Sequence, residues 1–177
     1  MTSSGARTDP ALGHNFMISL LDSTSVLTPA SPPALAGILD SAVGGFSECS
    51  GLELTLQAEE YKEGGNNGSV LKFASRATWS NITLKRGVTA NAELWQWHFS
   101  FVEGRGKRRD GVIVLLDGAR LPVQVWYFRR GLPVKYSGPS LNAAQHAVAI
   151  ESIEIGHEGI YQVSGGGAGA GLAGVAG

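Results

Sequence analysis

The chain has 177 residues, of which 43% are hydrophobic, and its 14 basic and 15 acidic side chains leave a formal net charge of −1. That length and apolar content fit one domain with its own core, and the near-neutral balance gives no electrostatic ground for a nucleic-acid or anionic-membrane partner. The single cysteine, Cys49, excludes an intrachain disulfide and reads as a buried, inert thiol. Residues 1–9 lack the basic region and apolar core of a signal peptide, and no apolar run is long enough to span a bilayer. A protein made in the cytoplasm without classical secretion, and with no membrane-inserting segment, is expected.

In chain order, Phe16, Ile18 and Leu20 alternate as one face of a first strand. Residues 23–41 follow, where Pro29, Pro32 and Pro33 among Ser, Thr and Ala read as a surface insertion. From Leu52, Leu54, Leu56 and Ala58 alternate with Glu53, Thr55, Gln57 and Glu59, the pattern of a half-buried strand. That strand runs into Gly64-Gly65-Asn66-Asn67-Gly68, where Gly and Asn tolerate positive φ and end it. Residues 70–74 and 82–86 read as two further strands. Residues 89–102 form the one expected helix, with Thr89 as N-cap, Glu93 in its first turns, and Ala90, Leu94, Trp97 and Phe101 as its apolar stripe. Trp97 is a core residue on this reading, while Trp95 lies off the stripe and is free to meet a neighbour. Residues 110–118 and 121–128 read as a hairpin turning at Asp117-Gly118, and Gly131-Leu132-Pro133 as a break. In the last strand, residues 147–157, the apolar phase changes near Glu151-Ser152, which a β-bulge or a change of sheet would produce. Residues 165–177 are a Gly/Ala tail with almost nothing to bury, expected to be flexible. The fold class is therefore mainly β: an antiparallel barrel or sandwich of about six to eight strands with one flanking helix, in a single domain spanning residues 1–164.

The residues that carry chemistry are sparse. His14, His98, His146 and His157 show no metal-ligand spacing, and a lone cysteine offers no thiolate pair. Glu151, Glu154, Glu158 and His157 are the nearest approach to an acid–base cluster, but Glu151 and Glu154 point to opposite faces of a regular strand. The Gly/Asn loop has no Lys after its last glycine, so it is no phosphate cradle, and no nucleophile elbow occurs. The basic run at residues 105–109 suits the C-terminal end of the preceding helix better than a phosphate backbone. No catalytic residue, metal or cofactor is expected, and the chain does not read as an enzyme. A self-assembling structural subunit and a small-ligand β-barrel remain, the first favoured by long Gly/Asn loops and exposed strand edges.

A set of short motifs in one order narrows this choice. Gly45-Phe46-Ser47-Glu48, Ser50-Gly51-Leu52-Glu53, Glu60-Tyr61-Lys62-Glu63-Gly64-Gly65-Asn66, Asn81-Ile82-Thr83-Leu84-Lys85-Arg86-Gly87, Leu94-Trp95-Gln96-Trp97, Arg109-Asp110-Gly111 and Pro133-Val134-Lys135-Tyr136-Ser137-Gly138-Pro139 occur in succession. Leu141-Asn142-Ala143, the run at residues 149–155 and His157-Glu158-Gly159 complete the set. Together, from about residue 13 to 161, they resemble the tail tube (inner tube) proteins of contractile phage tails and contractile injection systems. The resemblance implies a β-barrel with a flanking helix, six-membered rings that stack into a hollow tube, and a lumen that passes a cargo effector or phage DNA. It implies, as partners, other copies of the chain, a sheath protein, and baseplate, spike and terminator proteins, in a particle assembled after synthesis in a bacterial cytoplasm. It also implies that the loop at residues 59–67 and the segment after it reach the adjacent ring, so Glu59, Tyr61, Glu63, Gly64, Gly65, Asn66, Asn67 and Arg76 are the expected inter-ring and inter-subunit contacts.

Three features depart from the family pattern. The insertion at residues 23–41 stands where a short turn is usual, Arg130-Gly131-Leu132-Pro133 replaces the more usual Ala-Trp-Pro, and the Gly/Ala tail is extra. The insertion is expected to mark either a specialised layer near the spike or a decoration that contacts sheath or cargo.

Overall fold

Strand β7 organises the molecule. In a computed structural model of the chain, which describes residues 12–22, 45–61, 70–144 and 147–164, this strand runs from Pro122 to Ser137 and belongs to two layers in turn. Its first half pairs with β6 (Arg109–Leu116) on one side and β9 (Ile160–Ser164) on the other. Its second half pairs with β8 (Ile150–Gly156). Beyond β6 lies β1 (Phe16–Asp22); beyond β8 lie β5 (Ile82–Gly87) and the three-residue β2 (Glu48–Ser50). All of these pairings are antiparallel. The sheet folds over along β7 into a sandwich and does not close into a barrel.

The expected break at Gly131-Leu132-Pro133 is instead the crossing point between layers. Arg130 adopts φ 51°, a left-handed conformation that costs a side-chain-bearing residue about 1–2 kcal/mol. The kink is held from several sides. Asp110 accepts the Arg130 amide at one carboxylate oxygen (2.7 Å) and the Tyr127 hydroxyl at the other (3.0 Å). Arg108 donates to the Arg130 carbonyl, and Glu158 accepts from both guanidinium groups. Glycine follows because a methyl at residue 131 would crowd the Arg109 carbonyl, the Phe128 ring and Ile155.

Ile18, Leu20, Ile113 and Phe128 from one layer meet Ile82, Leu84, Ile153 and Ile155 from the other, and Leu94 and Trp97 of the helix cover that core. A second cluster, Val112, Val114, Leu116, Val125 and Tyr127, occupies the opposite face of the β1–β6–β7 layer. β6 is thus apolar on both faces, as its unbroken run of Val, Ile and Leu requires. Helix α1 spans Glu93–Val102, four residues shorter at its start than the capping pattern predicts. Thr89 caps a turn instead: its hydroxyl accepts the Asn91 amide, and the Asn91 side chain accepts the Glu93 amide. Ala90 is consequently exposed and outside the helix, while Leu94 and Trp97 are buried as expected. The β6–β7 turn is also longer than Asp117-Gly118, since the Asp117 carboxylate gathers the amides of Ala119 and Leu121.

The phase change in the last strand has a different cause from a bulge. β8 pairs with β5 in unbroken register, and its inward positions are Glu151, Ile153 and Ile155. The irregularity is that one inward position carries a charge. Glu151 pairs with Arg86 at 2.5 Å and accepts the Tyr136 hydroxyl at 2.6 Å, while Arg86 also donates to the Asn91 carbonyl at the helix entry. Both side chains of the pair are under 10% exposed. Burial and the carboxylate neighbour push the Tyr136 hydroxyl up to about 12, so it remains a donor.

Two outcomes follow for stability. Arg86→Met leaves Glu151 buried without its cation and should cost roughly 3–5 kcal/mol in chemical denaturation; Arg86→Met/Glu151→Leu should fall well short of the sum of the single losses. Gly51 has φ 89°, and a methyl there would land on the Asn81 carbonyl oxygen. Gly51→Ala should therefore destabilise by more than ~2 kcal/mol, since left-handed strain and a backbone clash act together; an unchanged midpoint would show that the two segments separate freely.

Candidate functional site

The remaining two strands, β3 (Leu54–Tyr61) and β4 (Leu71–Trp79), form a separate ribbon that pairs with no strand of the main sheet. Here the expectation of a half-buried strand is overturned. Every residue of β3 is exposed, and so is every residue of β4 except Trp79. Alternation alone cannot distinguish a strand on its own core from one that meets another chain.

Residues opposite one another in an antiparallel pair share a face. On one face, Leu54 faces Trp79, Leu56 faces Ala77, Ala58 faces Ala74, and Glu60 faces Lys72. On the other, Thr55 faces Thr78, Glu59 faces Phe73, and Tyr61 faces Leu71. The register shifts between Leu56 and Ala58, where β4 contributes both Ser75 and Arg76 against Gln57 alone. This bulge reverses the phase of β4. Leu71 and Phe73, which regular alternation would place beside Ala77 and Trp79, are carried to the opposite face. The ribbon is therefore apolar on one side near its root and on the other side near its far end. Leu54, Leu56, Phe73 and Tyr61 each leave 55–58% of their surface in water.

The root is fixed. The amide and hydroxyl of Ser80 donate to Glu53, at its carbonyl and carboxylate, both at 3.3 Å. Asn81 donates to the Glu154 carboxylate at 2.8 Å, the ring of Trp79 meets His157 edge-on, and His157 bonds the Ser80 carbonyl at 3.0 Å. A second uncovered apolar surface lies on the helix. Trp95, Phe99 and Val102 fall at i, i+4 and i+7 on its outer side, with the first two rings stacked at 5.6 Å and Tyr136 set edge-on against Trp95.

Of the expected contact residues, Glu59 and Tyr61 lie near the far end of β3, and Arg76 stands in the bulge of β4. Glu63, Gly64, Gly65, Asn66 and Asn67 lie outside the described residues, as do the insertion at 23–41 and the tail at 165–177. Leu71 and Phe73, exposed on the same face as Tyr61, are not among the expected contacts, although an aliphatic and an aromatic side chain beside a polar loop were a usable signal.

The acid–base cluster does not assemble. Glu151 is buried against Arg86 and Tyr136, Glu154 binds Asn81, and Glu158 binds Arg108 and Arg130. Among the described residues no group of His, Cys, Asp and Glu could hold a metal ion. The Cys49 thiol is pushed up to about 11, first by burial and then by neighbouring Glu48, so it stays protonated. Between the layers, Ile82, Leu84, Phe128, Ile153 and Ile155 are completely buried and fill the space in which a ligand barrel would hold its ligand. A groove of about 280 Å³ runs instead beside the helix, where Arg109 lies over the Trp97 ring and pairs with Glu93 and Asp22. No helix among the described residues is long and apolar enough to cross a membrane.

The fold is shared with solved components of contractile particles. One chain of the anti-feeding prophage baseplate superposes with a TM-score of 0.74 at 24% identity, over 89% of this chain and 97% of that one. A chain of the PVC extracellular contractile injection system, from its sheath–tube complex in the extended state, gives 0.69 at 22% identity, over 88% and 92%. A chain of the anti-feeding prophage tube-terminating cap gives 0.72 at 20% identity, over 90% and 94%. No curated protein matches the chain. The model of the T4-like virus tail tube protein gp19 family matches residues 15–161, nearly the whole folded body together with the ribbon, and the chain therefore belongs to this family of structural tube proteins.

Proposed function

We propose that the chain forms six-membered rings that stack into the hollow inner tube of a contractile injection system or contractile phage tail. The observation that carries this reading is the ribbon with an apolar patch on each face. One neighbour covers one face only; a ribbon that changes its apolar face midway asks for two. A ring stacked on a ring supplies both, one copy beside the ribbon and another above it. The far end, with Glu59, Tyr61, Leu71 and Phe73, and the loop carrying Glu63, Gly64, Gly65, Asn66 and Asn67 face the adjacent ring. Leu54, Leu56 and Arg76 face the neighbour in the same ring.

The partners on this reading are other copies of the chain, the surrounding sheath, the baseplate and spike below, and a terminator above. A cargo effector or phage DNA passes through the lumen. The solved neighbours, drawn from a baseplate, a cap and a sheath–tube complex, support the setting. The subunit is made in the bacterial cytoplasm and ends in an assembled particle. The insertion at residues 23–41 marks a specialised layer or a decoration toward sheath or cargo.

Phe73→Asp and Leu56→Asp place a charge on opposite faces of the ribbon without touching the main core. Each should leave thermal unfolding of the subunit within a few degrees of wild type while abolishing tubes in negative-stain images. Leu56→Asp should also abolish single rings, whereas Phe73→Asp should leave rings that no longer stack. Tubes of normal length from either variant would remove the ribbon from the interface. Replacing Gly64 and Gly65 by Val, which resists positive φ, should shorten tubes without unfolding the subunit, and unchanged tube length would exclude the loop from stacking.

A further inference from the structure

The outer side of α1 is a ridge that the folded chain leaves unused. Leu94, Trp97 and Phe101 already anchor the helix on the core, yet Trp95, Phe99 and Val102 remain 47%, 41% and 69% exposed. At about 1.5 Å of rise per residue the three side chains span roughly 10 Å along the helix. The rings of Trp95 and Phe99 stack on each other, and Tyr136 from β7 supports Trp95 edge-on. The ridge is therefore shaped before any partner arrives.

The same chain carries a surface of matching shape. On the face of the ribbon that is apolar near its root, Leu54, Leu56 and Ala58 lie opposite Trp79, Ala77 and Ala74. Ala58, Ala74 and Ala77 leave a shallow floor beside larger side chains, on a stripe about 13 Å long. Large rings set on small residues fill space without overpacking. The other face presents Phe73, Tyr61 and Leu71 and would set bulk against bulk. The charges agree with this choice. Glu60 pairs with Lys72 at the edge of the alanine floor, and Glu103 pairs with Arg105 at the end of the ridge. A joint between the two surfaces then strands no charge without its partner. Within one chain they do not meet, since both are exposed, and the contacts of Ser80, Asn81 and His157 hold the ribbon at its root. We propose that the outer ridge of α1 is the seat for the alanine-floored face of the ribbon from the neighbouring copy in the ring.

Giver and receiver are different surfaces, so the contact is heterologous: each copy seats one ribbon and lends its own, and repetition makes a ring when the rotation closes. This rests on the assembly reading and adds the receiving surface to it. Cross-linking of the full chain tests it, in a Cys49→Ala background so that only introduced thiols react. Leu56→Cys protein mixed with Phe99→Cys protein and treated with a short bismaleimide should give a joined pair. A chain that carries both changes should give a ladder ending at the hexamer, and neither single variant should give a ladder. Rings or tubes in negative stain that yield no such product overturn this proposal and leave the ring reading standing. A ladder that stops at two overturns the head-to-tail seating, and a wild-type chain that forms no rings overturns both. Should the cysteine variants fail to assemble, Trp95 itself decides. Its acrylamide quenching, read as the difference between wild type and Trp95→Phe, should fall by about threefold or more on assembly, because the seat excludes water. An unchanged value overturns the proposal.

Discussion

Two paired strands with no core of their own are the constraint around which this molecule is built. A two-stranded hairpin is marginal in water, and this one also holds Leu54, Leu56, Tyr61, Leu71 and Phe73 largely in solvent. Fully burying a side chain of this kind is worth about 1.5–3 kcal/mol. Since each is roughly half uncovered, several kcal/mol of burial remain to be gained through contact with another chain. On the proposed reading, a tail tube subunit meets that demand by assembling.

The body serves to mount the ribbon in a fixed direction. A sheet that folds over along β7 gives a stiff sandwich, and the Asp110–Tyr127–Arg130 contacts pin the fold line. The buried Arg86–Glu151 pair ties the two strands β5 and β8 to the helix entry and to Tyr136. Replacing such a pair by apolar residues often costs little stability, so its value here is geometric: it fixes where the helix begins. The helix in turn has two apolar sides, Leu94 and Trp97 inward and Trp95, Phe99 and Val102 outward. A monomer needs only the inward one.

Much of this was legible in the sequence, and the failures have physical causes. Unbroken apolar runs and period-two alternation located β1, β5 and β6, and Leu94 and Trp97 marked the helix. The family was readable from motifs spread along the chain, one of which holds Gly51, where the backbone closes on Asn81 at positive φ. Bulges and buried charges escaped it. The extra residue in β4 reverses the side on which Leu71 and Phe73 appear, and nothing in a one-dimensional pattern records it. Glu151 looked like a break in phase because an inward carboxylate is unexpected until its arginine, 65 positions away, is known. Alternation in β3 announced an apolar face correctly, but which chain covers that face is not a property of the strand.

The central claim is that both faces of the ribbon are covered by other copies. A cryo-electron microscopy reconstruction of the particles formed by the purified chain, at side-chain resolution, tests it most directly. The account predicts Leu54 and Leu56 against one neighbouring copy, and Leu71, Phe73 and Tyr61 against a second. A ribbon folded back on its own sandwich, or standing in solvent within an assembled tube, would contradict it.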